Sequence, residues 1–313
     1  MRKRKTYMVV AVLLVEIVGM MGLASGCGSD GDGGGSSASA SPTGGAISGS
    51  AMERATAILG HAPTGLALDI VTKGEVVVAN DSNYAPQSSV DPVTKEVVGF
   101  DVDVAKGMAE ILGLGIKWQH PAWETIPGGL NNGRYDVSIG SMTSAIDGVK
   151  VAERWKALDF SEPYYYTTGQ VFVKKGGTQV TSVKDLAGKK VGVGAATTYY
   201  DFLKGQGPWE GKSTGANVKT YTTDADTFPD LLNGNLDFVM TAGTTGQQAI
   251  LEGKPMEFSG KPFYYEDLSM AVKKGEADWV ALLTYTVQQM HENGGLTAMS
   301  KQWYNGLDLT VKQ

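Results

Sequence analysis

Apolar positions along this chain fall into short blocks set apart by glycine, proline and polar clusters, and the blocks alternate between two periods. Glu75-Val-Val-Val-Ala-Asn80 is a continuous apolar run too short for a helix and reads as a buried strand. Val104, Ala105, Met108, Ile111 and Leu112 share one helical face, with Gly113 placed to end that helix. Residues 116–119 resume as a strand, 126–132 as a helix and 135–140 as a strand. After Gln170 the alternation restarts with strand 171–174, helix 182–186, strand 190–193 and a helix from Thr197. Strand 218–221, helix 225–232, strand 236–241 and helix 246–251 follow; strand 268–273 and two amphipathic helices over 278–304 close the chain. Strand and helix alternating over this length specify an α/β fold of parallel sheets covered by helices.

The first quarter has a different texture. Arg2, Lys3, Arg4 and Lys5 precede an apolar segment from Met8 to Leu23, then Ala24-Ser25-Gly26 and Cys27, the single cysteine of the chain. A basic start, an apolar middle and small residues before a cut mark an export signal over residues 1–26. The run is interrupted by Glu16, which argues against a retained membrane span of about 20 apolar residues. A cysteine directly after the small residues resembles a bacterial lipobox, which implies lipidation of Cys27 and anchoring outside the cytoplasm; Ala24 stands where leucine is commonest in that motif. With one cysteine there is no intrachain disulfide. The Gly/Ser-rich stretch after it reads as a flexible tether over residues 27–60, with a short helix conceivable at 51–59.

Net charge narrows the functional classes. The whole chain carries −6, and loss of the signal with its four basic residues and one acid leaves about −9. An acidic surface without a basic stripe argues against nucleic acid. His61, His120 and His291 are scattered and no cysteine follows Cys27, so no metal site and no cofactor are expected. Neither a phosphate-binding Gly-x-x-x-x-Gly-Lys loop nor a Gly-x-Ser-x-Gly nucleophile elbow occurs.

Seven segments then occur in order: Gly99-Phe-Asp-Val-Asp-Val-Ala-Lys106, Trp123-Glu-Thr-Ile-Pro-Gly-Gly-Leu130, Gly133-Arg-Tyr-Asp-Val137, Leu158-Asp-Phe-Ser-Glu-Pro-Tyr164, Asp185-Leu-Ala-Gly-Lys-Lys-Val-Gly-Val193, Leu232-Asn-Gly-Asn-Leu-Asp237, and Gly294-Gly-Leu to Gln302-Trp-Tyr. Together they resemble the extracellular solute-binding proteins of family 3, polar-amino-acid receptors of ABC importers. The resemblance implies a two-lobed, periplasmic-binding-protein-like clamshell of type II. Lobe 1 is then discontinuous, 61–169 plus 262–313, and lobe 2 spans 170–261. Pro163–Gly169 and Gly260–Tyr265 are the expected aromatic, polar connectors of the hinge.

The pocket of such a fold lies at the carboxyl ends of the strands. Asp81 and Tyr84 match positions that put an acid and an aromatic against the ligand side chain; a turn aspartate and a packing tyrosine are the plainer reading. Ser141 and Thr143 match positions that meet the ligand amino group. Thr197 and Thr198 open a helix after Val191-Gly-Val-Gly194 and are placed to hold a carboxylate, although a threonine there also serves as an ordinary N-cap. Trp123 completes the candidate set.

Three positions depart from the family pattern. The arginine expected to fork onto the ligand carboxylate falls at Gly148; an insertion within Ala145–Arg154 makes Arg154 the candidate for that role and Lys150 the fallback. The amino-binding aspartate falls at Ala242, and a phenylalanine of the pocket at Gln87. The expected function is capture of a small polar solute, an amino acid or derivative, by a monomer that delivers it to a membrane permease. A solute sensor for a membrane signalling partner, and a dehydratase-like enzyme using Asp81 and Glu162, are the alternatives.

Overall fold

The structure is a computed structural model and describes residues 48–312. The expected export signal, Cys27 and the Gly/Ser stretch as far as residue 47 lie outside the described residues. Helix α1, Ala51–Leu59, opens the described part. Ser50 caps it: the Ser50 hydroxyl accepts the Glu53 N–H at 3.3 Å and the Glu53 carboxylate accepts the Ser50 N–H at 2.8 Å, a reciprocal capping box. Ala51 and Ala55 are buried against the first core. The helix expected at 51–59 is therefore present, and its packing corrects the tether boundary at residue 60, because residues with a buried apolar face cannot act as free linker.

Helix α2, Gly65–Lys73, leads into β1, Glu75–Ala79. A small three-stranded sheet follows, formed by β2 (Asn83–Tyr84), β3 (Ser88–Val90) and β4 (Val97–Val98). Gly99 then starts α3, Phe100–Leu112. Its φ is 144°, and a Cβ at this position would lie 2.2 Å from the Gln87 carbonyl oxygen, so glycine alone fits. Strand β5 (Gly115–Gln119), a 3₁₀ turn at Trp123–Thr125, α4 (Ile126–Asn131) and β6 (Val137–Ile146) come next. Then follow β7 (Val149–Lys150), α5 (Ala152–Ala157) and the 17-residue β8 (Leu158–Lys174). Beyond a 3₁₀ turn at Val183–Leu186 lie β9 (Lys190–Gly194), α6 (Thr198–Lys204), β10 (Asn217–Tyr221) and α7 (Thr227–Leu232). The chain closes with β11 (Phe238–Ala242), α8 (Gly243–Leu251), the 18-residue β12 (Met256–Lys273), α9 (Ala277–Glu292) and α10 (Gly295–Trp303).

One nine-stranded sheet joins these elements in the order β10-β9-β11-β8-β12-β6-β1-β5, with β7 paired to β6. Pairing is parallel among β1, β5 and β6 at one end and among β9, β10 and β11 at the other; β8 and β12 run antiparallel to each other through the middle. The inner strands are covered on both faces, so β6 and β11 are buried along their whole length instead of alternating, while the edge strands β5 and β10 keep exposed positions. Within a strand, successive side chains still enter different cores: Val171 and Val173 face one cluster of the second end while Phe172 faces the other.

The same two middle strands change core along their length. On β8, Tyr164 and Tyr165 pack with Val78, Phe100 and Trp279 at the first end, whereas Val171 and Val173 pack with Val191 and Met240 at the second. On β12, Tyr264 belongs to the second core and Leu268, Met270 and Val272 to the first. The segments expected as connectors, Pro163–Gly169 and Gly260–Tyr265, are thus strand, not loop: Tyr264 pairs with Gly169 and Tyr265 with Thr168. Their polar and aromatic composition hid this, because a strand passing between two cores needs no continuous apolar run.

The other correction concerns the insertion. β6 runs six residues past the expected end at Gly140, and Asp147-Gly148 turns it directly into β7, with Ile146 opposite Val149. Both turn residues have positive φ, 49° and 78°, the signature of a two-residue hairpin loop with the Asp-Gly preference.

Candidate functional site

A pocket holding about 560 Å³ of empty space opens between the two ends of the sheet. All eight ligand-binding candidates border it: Asp81, Tyr84, Trp123, Ser141, Thr143, Arg154, Thr197 and Thr198. They arrive from elements far apart in sequence, and each is fixed by local structure.

Asp81 follows β1. Its Oδ1 accepts the Asn83 N–H at 2.9 Å and its Oδ2 accepts the Trp123 N–H at 3.2 Å, so it is a turn aspartate and a pocket acid at once. Trp123 spans the opening: its backbone belongs to the Asp81 side, and its indole N–H donates to the Ala196 carbonyl on the opposite side at 3.1 Å. Tyr84, on β2, has its phenol pKa raised by burial and by the nearby Asp224 carboxylate.

Ser141 has a φ of 55°, which turns β6 at the pocket wall. Its hydroxyl donates to Asp101 Oδ2 at 2.8 Å and accepts from the Tyr165 hydroxyl at 2.7 Å, while its N–H donates to the Tyr164 hydroxyl at 2.9 Å. The Ser141 hydroxyl therefore points its hydrogen into the first core. Asp101, at the start of α3, has no solvent access; burial pushes its carboxyl up to about 7 against the hydroxyls of Ser141 and Tyr164, which pull it down.

Thr143 donates to Glu266 Oε1 at 2.9 Å, and the Thr198 hydroxyl donates to the same oxygen. Tyr199 donates to Glu266 Oε2 at 2.8 Å. Glu266 lies on β12 with no solvent access, and burial raises its pKa while these three donors and Arg154 oppose the rise. Thr197 caps α6: its Oγ1 accepts the Tyr200 N–H at 3.1 Å and donates to the Gly194 carbonyl at 2.8 Å.

Arg154 reaches the pocket from α5. Its Nη1 donates to the Thr143 carbonyl at 2.9 Å and its guanidinium carbon lies 5.8 Å from the Trp123 ring centroid, within cation–π range. Burial lowers its pKa, and the charges of Glu266 and Asp201 work against that. The hairpin β6–β7 supplies the reach: it returns the chain to the β6 wall just ahead of Arg154. Lys150, the fallback, is exposed on β7 with its ammonium 3.7 Å over the Trp155 ring, away from the pocket.

The remaining departures have structural replacements. Gly148 is the second residue of the hairpin turn. Ala242 is buried in the second core. Gln87 is buried too, and its amide donates to Thr244 Oγ1 at 2.6 Å, tying the β2–β3 region to α8 instead of lining the pocket. Glu162, the second acid of the enzymatic alternative, is exposed and hydrogen-bonded to Gln288 at 3.2 Å, apart from the pocket lining. His61, His120 and His291 are exposed, and among the described residues no cluster of metal-ligating side chains occurs.

With this geometry in place, comparison with known proteins is decisive. The profile of bacterial extracellular solute-binding proteins, family 3, matches residues 76–306. The chain belongs to this family. The L-cystine-binding protein TcyJ of Escherichia coli strain K12 is 28% identical over 263 residues, 83% of this chain and 93% of that protein. The ABC transporter glutamine-binding protein GlnH of Bacillus subtilis strain 168 is 30% identical over 218 residues, 68% of this chain and 75% of that one. An ancestral arginine-binding protein bound to arginine shares the fold with a TM-score of 0.65 at 27% identity, covering 74% of this chain and 98% of its own. The solute-binding chain accordingly has the two-lobed type II periplasmic-binding fold, with β8 and β12 as the two strands that cross between lobes.

Asp224, Tyr199 and Glu266 are pocket or pocket-backing residues that sequence reasoning missed. Asp224 had a usable signal: it ends the polar turn after β10, at the carboxyl end of a parallel strand. Glu266, inside Tyr265-Glu-Asp-Leu268, had none, because nothing local separates a buried charge from a surface one.

Proposed function

We propose that this family member captures an amino acid or amino-acid derivative between its two lobes and delivers it to the permease of an ABC importer. The observation that carries this reading is the charge pattern of one pocket: its lining holds a single guanidinium, Arg154, and two carboxylates, Asp81 and Asp224, among threonine hydroxyls and aromatic rings. A zwitterion answers such a pattern, with its carboxylate on Arg154 and its nitrogen toward the acids. Ligand-binding roles go to Asp81, Tyr84, Trp123, Ser141, Thr143, Arg154, Thr197 and Thr198. Lobe 1 comprises 61–169 with 262–313, joined by α1, and lobe 2 comprises 170–261. A ligand touching both lobes favours the closed arrangement, since only there are both sets of contacts made.

Binding without turnover fits the pocket, which places Asp81 and Asp224 among fixed hydrogen bonds and leaves Glu162 outside. The protein acts outside the cytoplasm as a monomer, held to the membrane by lipid on Cys27. The name of each relative supplies a probe. In a thermal-shift assay, L-cystine, L-glutamine or L-arginine raises the melting temperature of the purified protein, since a ligand at one hundred times its Kd stabilises by about 2.7 kcal/mol. Arg154→Ala abolishes the shift. Stabilisation by sugars alone, or full affinity in Arg154→Ala, overturns the reading.

A further inference from the structure

Asp224 is the least solvated charge in the pocket lining. It is 4% exposed, stands just after β10, and is gripped from two strands: Oδ1 accepts the Gly194 N–H from the end of β9 at 2.9 Å, and Oδ2 accepts the Thr241 hydroxyl from β11 at 2.7 Å. Both bonds come from the backbone or side chain of the sheet itself, so the carboxylate cannot swing away from the pocket. Neither partner carries charge. Each oxygen keeps a lone pair beyond these bonds, since a carboxylate offers about four acceptor sites.

The titratable groups that face it make its situation worse. Asp81 from the β1 loop and Glu266 from β12 are both acids, and the phenol of Tyr84 from β2 is neutral. Burial, then this like charge, pushes the Asp224 carboxyl up to about 6. Arg154 is the sole cation among the lining residues, and it is already turned toward Thr143 and Glu266 on the other wall. A buried carboxylate without a counter-charge is costly, and contact with a cation offsets much of that cost. Asp81 is in a different position. It is partly solvated and receives the N–H groups of Asn83 and Trp123, which satisfy it without a ligand.

Resting on the amino-acid reading above, we infer that Asp224 is the acceptor for the ligand α-ammonium group and sets the requirement for a free amine. It does so from a neighbouring position: Thr241, which holds it, directly precedes Ala242, where the family pattern has its acid. The pocket then divides its charges. Arg154 takes the carboxylate, Asp224 the α-ammonium, and Asp81 is left to select the ligand side chain.

The experiment measures affinity by calorimetry for whichever of L-cystine, L-glutamine and L-arginine stabilises the wild type, alongside its Nα-acetyl derivative. Wild type binds the free amine at least about 100-fold more tightly than the acetylated form. Asp224→Asn weakens the free amine about 10–100-fold, the range of a lost charged hydrogen bond, leaves the acetylated form unchanged and so narrows the discrimination by the same factor. Asp81→Asn keeps the discrimination. Wild-type affinity falls as pH drops below about 6, where a protonated Asp224 no longer attracts the ammonium, and Asp224→Asn lacks this fall. The pH profile and the acetyl comparison on wild type stand even if the variant does not fold. Equal binding of amine and acetyl forms by wild type, or full discrimination in a folded Asp224→Asn, overturns the inference alone. A wild type that responds to none of the three amino acids removes the amino-acid reading with it.

Discussion

Asp101 and Glu266 are both carboxylates without solvent access, and both are held by hydroxyl groups, yet they serve different parts of the molecule. The partners of Asp101 stay with the first core: Ser141 on β6 and Tyr164 on β8, with Tyr165 joined through Ser141. Glu266 gathers Thr143 from the β6 wall and Thr198 and Tyr199 from α6, which packs into the second core. The first acid braces one wall of the pocket. The second sits where the crossing strand β12 passes between cores, and its hydrogen bonds join the walls. A buried carboxylate is therefore local or global in effect according to which elements supply its donors, not according to how deeply it lies.

Removing each acid separates the two roles. Glu266→Ala strands three hydroxyls and the neighbouring guanidinium, so stability falls by about 3–5 kcal/mol in denaturant unfolding, and ligand affinity falls with it. Asp101→Ala leaves two hydroxyls of one wall without their acceptor, a loss of about 1–3 kcal/mol, with affinity held within about threefold. If Asp101→Ala weakens binding as much as Glu266→Ala does, the division between brace and joint is wrong.

The same acid also has a signature in pH. Asp101 has its folded pKa raised from 3.8 to about 7, so the folded state holds this proton more tightly than the unfolded one. Its contribution to stability is greatest below about pH 4 and is lost as pH rises toward 7, with a slope of at most about 1.4 kcal/mol per pH unit. Unfolding of Asp101→Asn followed over the same range shows a correspondingly flatter dependence; an unchanged slope assigns the titration to another group.

Much of the element order was legible because short runs such as residues 76–79, 191–193 and 238–240 carry no polar side chain, as the buried parts of covered strands must. The middle of the sheet was not. Tyr164 through Gly169 and Lys261 through Tyr265 mix rings, hydroxyls and charge, because they pass from one core to the other and satisfy neither pattern. The β6–β7 hairpin was written in Asp147-Gly148, a short-range signal masked by treating the segment as an insertion.

The candidate site divides similarly. Thr197 as an N-cap and Asp81 in its turn are local facts that sequence alone contained, since both hydrogen bonds fall within three residues. Which acids face the pocket is not local. Asp224 depends on β9 and β11 for its hydrogen bonds, and Glu266 on three residues from β6 and α6.

The sequence by itself determined the α/β alternation, the membership of the solute-binding family and eight candidates that all border one pocket, because periodicity, turn chemistry and motif order are all carried by near neighbours. The tertiary structure alone decided that β8 and β12 run unbroken between lobes, that Arg154 returns to the pocket on a hairpin, and that Asp224 and Glu266 are buried beside it. Burial of a charge is set by what packs over it from elsewhere in the chain, and no local pattern of residues encodes that.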